Sequence, residues 1–211
     1  MAAGSSGQPP RLKGILRLIS SQYPDPIPTY EHDATMLAES QTIMQNRRRK
    51  RPNSTLLPNQ MATFEELVNR HRYACFFFIQ GNPSRFYSSH CLKLRKRLSE
   101  DYHDVMATFL VTVGGNAAST DATGDVFCQG TGFSSLPSTP ILLSLLNINQ
   151  VPVAVVLEKA TGHKISRDAM LAMEWNNPQS VINAWQRGKS GLDCTQKALA
   201  VASMQSDCTL S

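Results

Sequence analysis

What the chain lacks narrows it first. It has five cysteines in 211 residues, Cys75, Cys91, Cys128, Cys194 and Cys208, and no two of them form a C-x-x-C pair. Their irregular spacing also spells neither a zinc site nor a disulfide framework. No run of about 18 apolar residues occurs, so no transmembrane helix is expected. The start, MAAGSSGQPPR, has no apolar stretch behind a basic head, so no signal peptide is expected. These absences point to the cytoplasm or nucleus, where thiols stay reduced. A phosphate loop is missing too. Gly114-Gly115-Asn116 and Gly130-Thr131-Gly132 carry no lysine, and neither opens a helix.

Apolar residues make up 41% of the chain, enough for one proper core. The net charge is +5. Much of the excess lies in two clusters, Arg47 to Arg51 and Lys93 to Arg97. Such clusters suit an acidic partner without selecting nucleic acid. No aromatic residues interleave with the second cluster to stack on bases, so no specific nucleic acid is expected. Lys93, Arg95, Lys96 and Arg97 read as the solvated face of a helix.

Residues 1–60 read as a largely irregular N-terminal extension, partly disordered. Leu12, Ile15, Leu16 and Ile19 give it one short amphipathic face, which Pro24, Pro26 and Pro28 break. A polar segment from His32 to Asn46 suits a helix capped by Asp33. The run Arg47 to Arg51 before Pro52 resembles a nuclear-import signal, and equally a solvated basic arm. The globular pattern covers 61–190, and 191–211 reads as a flexible tail.

Within 61–190, Thr63 and Glu66 have capping-box spacing. Tyr73 to Ile79 is apolar throughout, as a central strand should be. Gly81-Asn82-Pro83-Ser84 is a turn. Phe86, His90 or Cys91, Leu94 and Leu98 share a helix face. Val105 to Val113 is a second strand, and 114–132 a long irregular loop. Pro140 opens a short helix over 139–146. Val151 to Leu157 and Lys164 to Ser166 are strands. Asn177-Pro178 opens a final helix, which Gly188 stops. This order predicts an α/β fold, a sheet with helices on both faces.

Three passages resemble a known family. Phe76-Phe77-Phe78-Ile79 leads into Gly81-Asn82-Pro83-Ser84-Arg85-Phe86, where the family has an aromatic-rich strand, then W-C-x-P-C-R and an aromatic. Leu136-Pro137 followed by Leu142 to Ile148 resembles its "LPF…L…F-x-V" passage. Val151-Pro152-Val153-Ala154-Val155-Val156-Leu157, then Gly162 to Asp168, resembles its "IPxxVVL…G…I…R" ending. Residues 63–188 are thus similar to the nucleoredoxin and tryparedoxin branch of the thioredoxin superfamily. The resemblance implies a thioredoxin-like three-layer fold with a central mixed sheet. It also implies a cis bond before Pro152, facing the redox site.

The departure bears on function. Gly81 and Ser84 stand where the family has its two cysteines, and Gln80 stands where it has tryptophan. That chemistry needs a thiolate at a helix N-terminus and a second thiol to resolve the mixed disulfide. Glycine has no nucleophile, and the Ser84 hydroxyl is not ionised at neutral pH. Ser84 suits a helix cap. Cys75 and Cys91 read as core residues. Cys128, in the long loop, is the candidate reactive thiol. His90 and His103 lie near Cys91, but His90 and Cys91 are about 100° apart on a helix and cannot share a site. No metal or cofactor is therefore expected.

The chain then reads as a non-enzymatic protein-binding module, with the groove at Val151 and Pro152. The alternative is a divergent thiol–disulfide oxidoreductase using Cys128 or a partner's thiol. Cys208-Thr209-Leu210-Ser211 fits a C-a-a-X prenylation motif, making Cys208 a candidate membrane tether. The bland reading of those four residues is a tail with a cysteine in it.

Overall fold

A computed structural model of the chain describes residues 12–45, 60–81, 89–114, 127–167 and 169–199. In chain order the elements are α1 (Gly14–Ser20), β1 (Ile27–Thr29), α2 (Ala34–Gln45), β2 (Gln60–Ala62), α3 (Phe64–Asn69), β3 (Tyr73–Gln80) and α4 (Ser89–Asp101). There follow β4 (Met106–Val113), β5 (Ser134–Pro137), α5 (Pro140–Leu146), β6 (Val153–Glu158), β7 (Lys164–Ser166), α6 (Ala169–Trp175) and α7 (Pro178–Gln186). The strands form one seven-stranded mixed sheet in the order β2-β1-β5-β4-β3-β6-β7.

β3 shows how the layers arise. Side chains alternate across a strand. Tyr73, Cys75, Phe77 and Ile79 face one core with Leu94 and Leu98 of α4, Ala172 and Met173 of α6, and Val181 and Trp185 of α7. Ala74, Phe76 and Phe78 face a second core with Leu16 and Ile19 of α1, Phe64 and Val68 of α3, and Leu142 and Leu146 of α5. Both faces of β3 are buried, which is why its sequence is apolar without a break.

Local chemistry sets the ends of the helices. The Glu66 amide donates to Thr63 Oγ1, and the Thr63 amide to Glu66 Oε2, closing the expected capping box. Thr139 caps α5 ahead of Pro140, and Asn177 caps α7 ahead of Pro178. Gly188, at φ +67°, follows α7 and donates its amide to the Trp185 carbonyl.

The described part of the expected tail is built into the domain, with Leu192 buried and the Gly191 carbonyl accepting from Asn176 Nδ2, and three further elements depart from the sequence reading. First, the described part of 1–60 is not an irregular appendage. Leu12, Leu16, Ile19, Tyr23 and Ile27 are buried in the second core, and β1 pairs with both β2 and β5. The apolar face of α1 has no sheet of its own, so it covers this one. Second, 134–137 is a strand, parallel to β4 and tied to β1 by Thr29 Oγ1 and Ser134 Oγ at 3.2 Å. Third, a helix, α6, precedes the final one.

The turn between β6 and β7 seats α1. The Ile15 amide donates to the Gly162 carbonyl. A Cβ on Gly162 would run into the Lys13 carbonyl, and its φ of +69° suits glycine. Gly162→Ala is therefore expected to lift α1 off the sheet and cost about 1–3 kcal/mol. Amide exchange should speed up across 14–20 while β3 and β4 stay protected. Unchanged protection of α1 would show that the contact does not hold it.

Candidate functional site

The positions singled out by the resemblance gather at one end of the sheet. β3 and β4 run parallel with Gln80 opposite Val113, and the Gly81 amide donates to the Val113 carbonyl at 2.9 Å. β6 runs antiparallel to β3 with Val153 opposite Phe78. Following that register one and two residues back puts Pro152 beside Ile79 and Val151 beside Gln80. The Val151-Pro152 bond is cis, as the resemblance implies. Gly81 is buried, Val151 half-buried and Pro152 exposed. Asn82, Pro83 and Ser84 lie outside the described residues.

The approach to Pro152 is pinned from below. Asn147 ends α5 in the left-handed region at φ 55°. Lys164 Nζ then donates to the Leu146 carbonyl at 2.7 Å, and Arg167 Nη2 to Asn149 Oδ1 at 2.9 Å. Burial, and then Arg167, lower the pKa of Lys164.

Among the described residues, the central strands bring no titratable side chain to this end. Among the described residues, β3, β4 and β6 carry only Tyr73, Cys75 and Glu158 as titratable groups, and Tyr73 pairs with Glu158 at the opposite end. Cys75 is six residues before Gly81, about 20 Å along a strand. Burial pushes its thiol up to about 12, so it stays protonated at neutral pH. Cys91 is buried on α4, as expected for a core residue.

Cys128 is not an exposed loop thiol; it is fully buried. The reason is Arg95, which is likewise 0% exposed and so does not belong to the solvated face read from the sequence. Arg95 Nε donates to the Phe127 carbonyl at 2.6 Å, and Nη2 to the Gln129 carbonyl at 2.7 Å and Ser40 Oγ at 2.6 Å. The guanidinium also lies over the Phe127 ring at 5.5 Å. This draws residues 127–129 inward across α4. The exposed cysteine among the described residues is Cys194.

The rest of the basic face is mixed in sign. Lys93, Lys96 and Arg97 line a cleft of about 550 Å³ with Glu100, Asp101 and Glu174, over Leu94 and Met170. Lys96 pairs with Glu100 at 3.8 Å and Arg97 with Asp101 at 4.0 Å. His103 stacks on His32 at 4.4 Å and touches Asp104 at 3.0 Å. Among the described residues no group of three His, Cys, Asp or Glu is placed to hold a metal. None of their helices is long and apolar enough to cross a membrane. Cys208 and Arg47 to Arg51 lie outside the described residues.

A βαβ unit, a third parallel strand, and a strand entered through a cis-proline and paired antiparallel to the first complete the expected layout. The fold is thioredoxin-like. No family model matches the chain, and no curated protein matches it significantly. Solved structures similar to it include tryparedoxin II from C. fasciculata, 13% identical over 82% of this chain and 98% of that one, with a TM-score of 0.48. A thioredoxin from Wuchereria bancrofti is 13% identical over 61% of this chain and 89% of that one, at 0.42. A tryparedoxin II complexed with glutathionylspermidine is 16% identical over 64% and 90%, at 0.40. Likenesses this faint say nothing of activity.

Proposed function

We propose that this chain is a redox-inactive thioredoxin-like module that binds protein. The observation that carries the reading is Gly81. It follows β3 at the end of the sheet where cis-Pro152 lies, at the position where the resembled family has its attacking cysteine, and it brings no nucleophile. No cysteine occurs from 76 to 90, so a shift of register by a few residues would not supply one. Losing the thiols removes turnover but leaves the shape. Half-buried Val151 and exposed Pro152 border a place where an extended peptide could pair with backbone.

The competing reading, an oxidoreductase working through Cys128, must bring a fully buried thiol into contact with its substrate. Prenylation of Cys208, or nuclear import through Arg47 to Arg51, would give the module an address without changing its site.

The test is insulin reduction with dithiothreitol as electron source, for the full chain and its Cys128→Ser variant. We expect no rate above the dithiothreitol blank. A rate that Cys128→Ser abolishes while keeping its fold overturns the reading. Peptides selected from a displayed library of extended sequences should lose binding to Pro152→Gly at least tenfold. Selected peptides indifferent to that change would place the binding surface elsewhere.

A further inference from the structure

The outward stripe of α4 carries its charges in an order that does nothing for the helix itself. Lys93, Lys96, Arg97, Glu100 and Asp101 recur at three- and four-residue steps and so share one face. The three bases come first and the two acids last. A helix favours the reverse, acids at its start and bases at its end. α4 has no acid in its first turn and no base in its last. Its internal pairs are reversed too. Lys96 precedes Glu100 and Arg97 precedes Asp101, whereas a pair is stronger with the acid ahead of the base. Both pairs are long, at 3.8 and 4.0 Å, and their side chains are 36–53% exposed. Ion pairs of this kind add little to a fold and exchange readily for other partners.

The same order is self-complementary. A second copy turned end over end about a twofold axis sets its acids against these bases. With the axis between residues 97 and 100, Arg97 of each copy faces Glu100 of the other, and Lys96 faces Asp101. No like charges lie abreast. Beneath the stripe, the cleft of about 550 Å³ has an apolar floor in Leu94 and Met170, and Glu174 adds a third acid to its wall. Trp175 follows Glu174 and is 42% exposed. It precedes Asn176, whose carbonyl accepts from Arg97 Nη1 at 3.3 Å. Aromatic anchors of this kind supply binding energy at interfaces, while charge sets orientation.

We propose that the α4–α6 surface is a dimer face, on which two copies of this chain meet antiparallel along the α4 stripe. The bases of each copy lie on the acids of the other. The face belongs to the helix layer and not to the cis-Pro152 end of the sheet, so it does not rest on the peptide-binding reading.

The test is sedimentation velocity of the full chain from about 1 µM to 1 mM. Reductant is kept present so that the exposed Cys194 forms no cross-link. We expect a dimer that weakens as salt rises. Lys96→Glu with Arg97→Glu turns the centre of the stripe acidic, and Glu100→Lys with Asp101→Lys turns all of it basic. Each double variant should lose at least about tenfold in self-association, because like charges now face each other. Mixed together, the two should form a heterodimer, since the acids of one then meet the bases of the other. A wild-type chain that stays monomeric over the whole range overturns the proposal, and that measurement needs no variant. A dimer that neither double variant weakens puts the face elsewhere and overturns it as well. Two weakened variants that do not associate on mixing overturn the antiparallel pairing.

Discussion

Replacing Arg95 with methionine is expected to destabilise the protein by about 3–5 kcal/mol. Methionine fills much of the same volume, so the loss is not a matter of packing. It is a matter of acceptors. The Phe127 and Gln129 carbonyls and Ser40 Oγ all accept from the guanidinium, and methionine offers none of them a donor in its place. Domains of this size are stable by roughly 5–15 kcal/mol in total, so one residue would account for a large share. Lys93→Met and Lys96→Met, on exposed positions of the same helix, should stay within about 0.5 kcal/mol of the parent. Urea denaturation of the three variants decides it. A loss below about 1 kcal/mol for Arg95→Met would mean that the carbonyls find other donors.

Stability should also fall steeply in alkali, and Cys75 supplies a large part of the loss. Its thiol is pushed from 9.0 to about 12 by burial alone. The folded state therefore holds its proton more tightly than the unfolded chain does. Such a group contributes full stability below the unfolded value, and the contribution is lost as pH rises toward the folded one. For this shift the loss is about 2 kcal/mol by pH 10.5 and about 4 kcal/mol by pH 12. Tyr102 adds to it in the same sense, since burial raises its pKa against the pull of Arg97. Urea midpoints for the parent and for Cys75→Ala, taken at pH 8 and pH 10.5, separate the contributions. The variant should start lower, because a buried side chain is trimmed, and then decline less. Parallel declines would show that Cys75 does not ionise on unfolding in this range.

Much of the fold can be read from the residues because its signals are local. The uninterrupted run from Tyr73 to Ile79, the Thr63–Glu66 box and the Asn177-Pro178 start each depend on neighbours within a few positions. β1, β2 and β5 are three or four residues long, too short for a period to show, and they exist only through pairing with distant strands. Helix α6 did leave a trace in Ala169, Ala172 and Met173, at helical spacing and all buried.

At Arg95 the local pattern and the fold part company. Cys91, Leu94, Arg95, Leu98, Ser99 and Tyr102 form one stripe at three- and four-residue steps, and all six are buried. The period placed Arg95 inside, and its charge argued for outside. Only the carbonyls of 127 and 129, more than thirty residues away, resolve the conflict. The burial of Cys128 is hidden from local sequence for the same reason, since Arg95 holds the carbonyls on either side of it. For the site, Pro152 could be located by resemblance, while its position beside Ile79 depends on the β3–β6 register.

The place of β1 in the sheet has a consequence for synthesis. Thr29 pairs with Ser134, and Ser40 with Arg95 and the Gln129 carbonyl. A growing chain makes its first strand long before the neighbour that strand needs. The amino-terminal segment must therefore wait on the ribosome, apolar and uncovered, until more than half of the protein has been made. Its local pairing with β2 gives the waiting strand an early companion, and a chain halted before Ser134 would present β1 with one edge unmet.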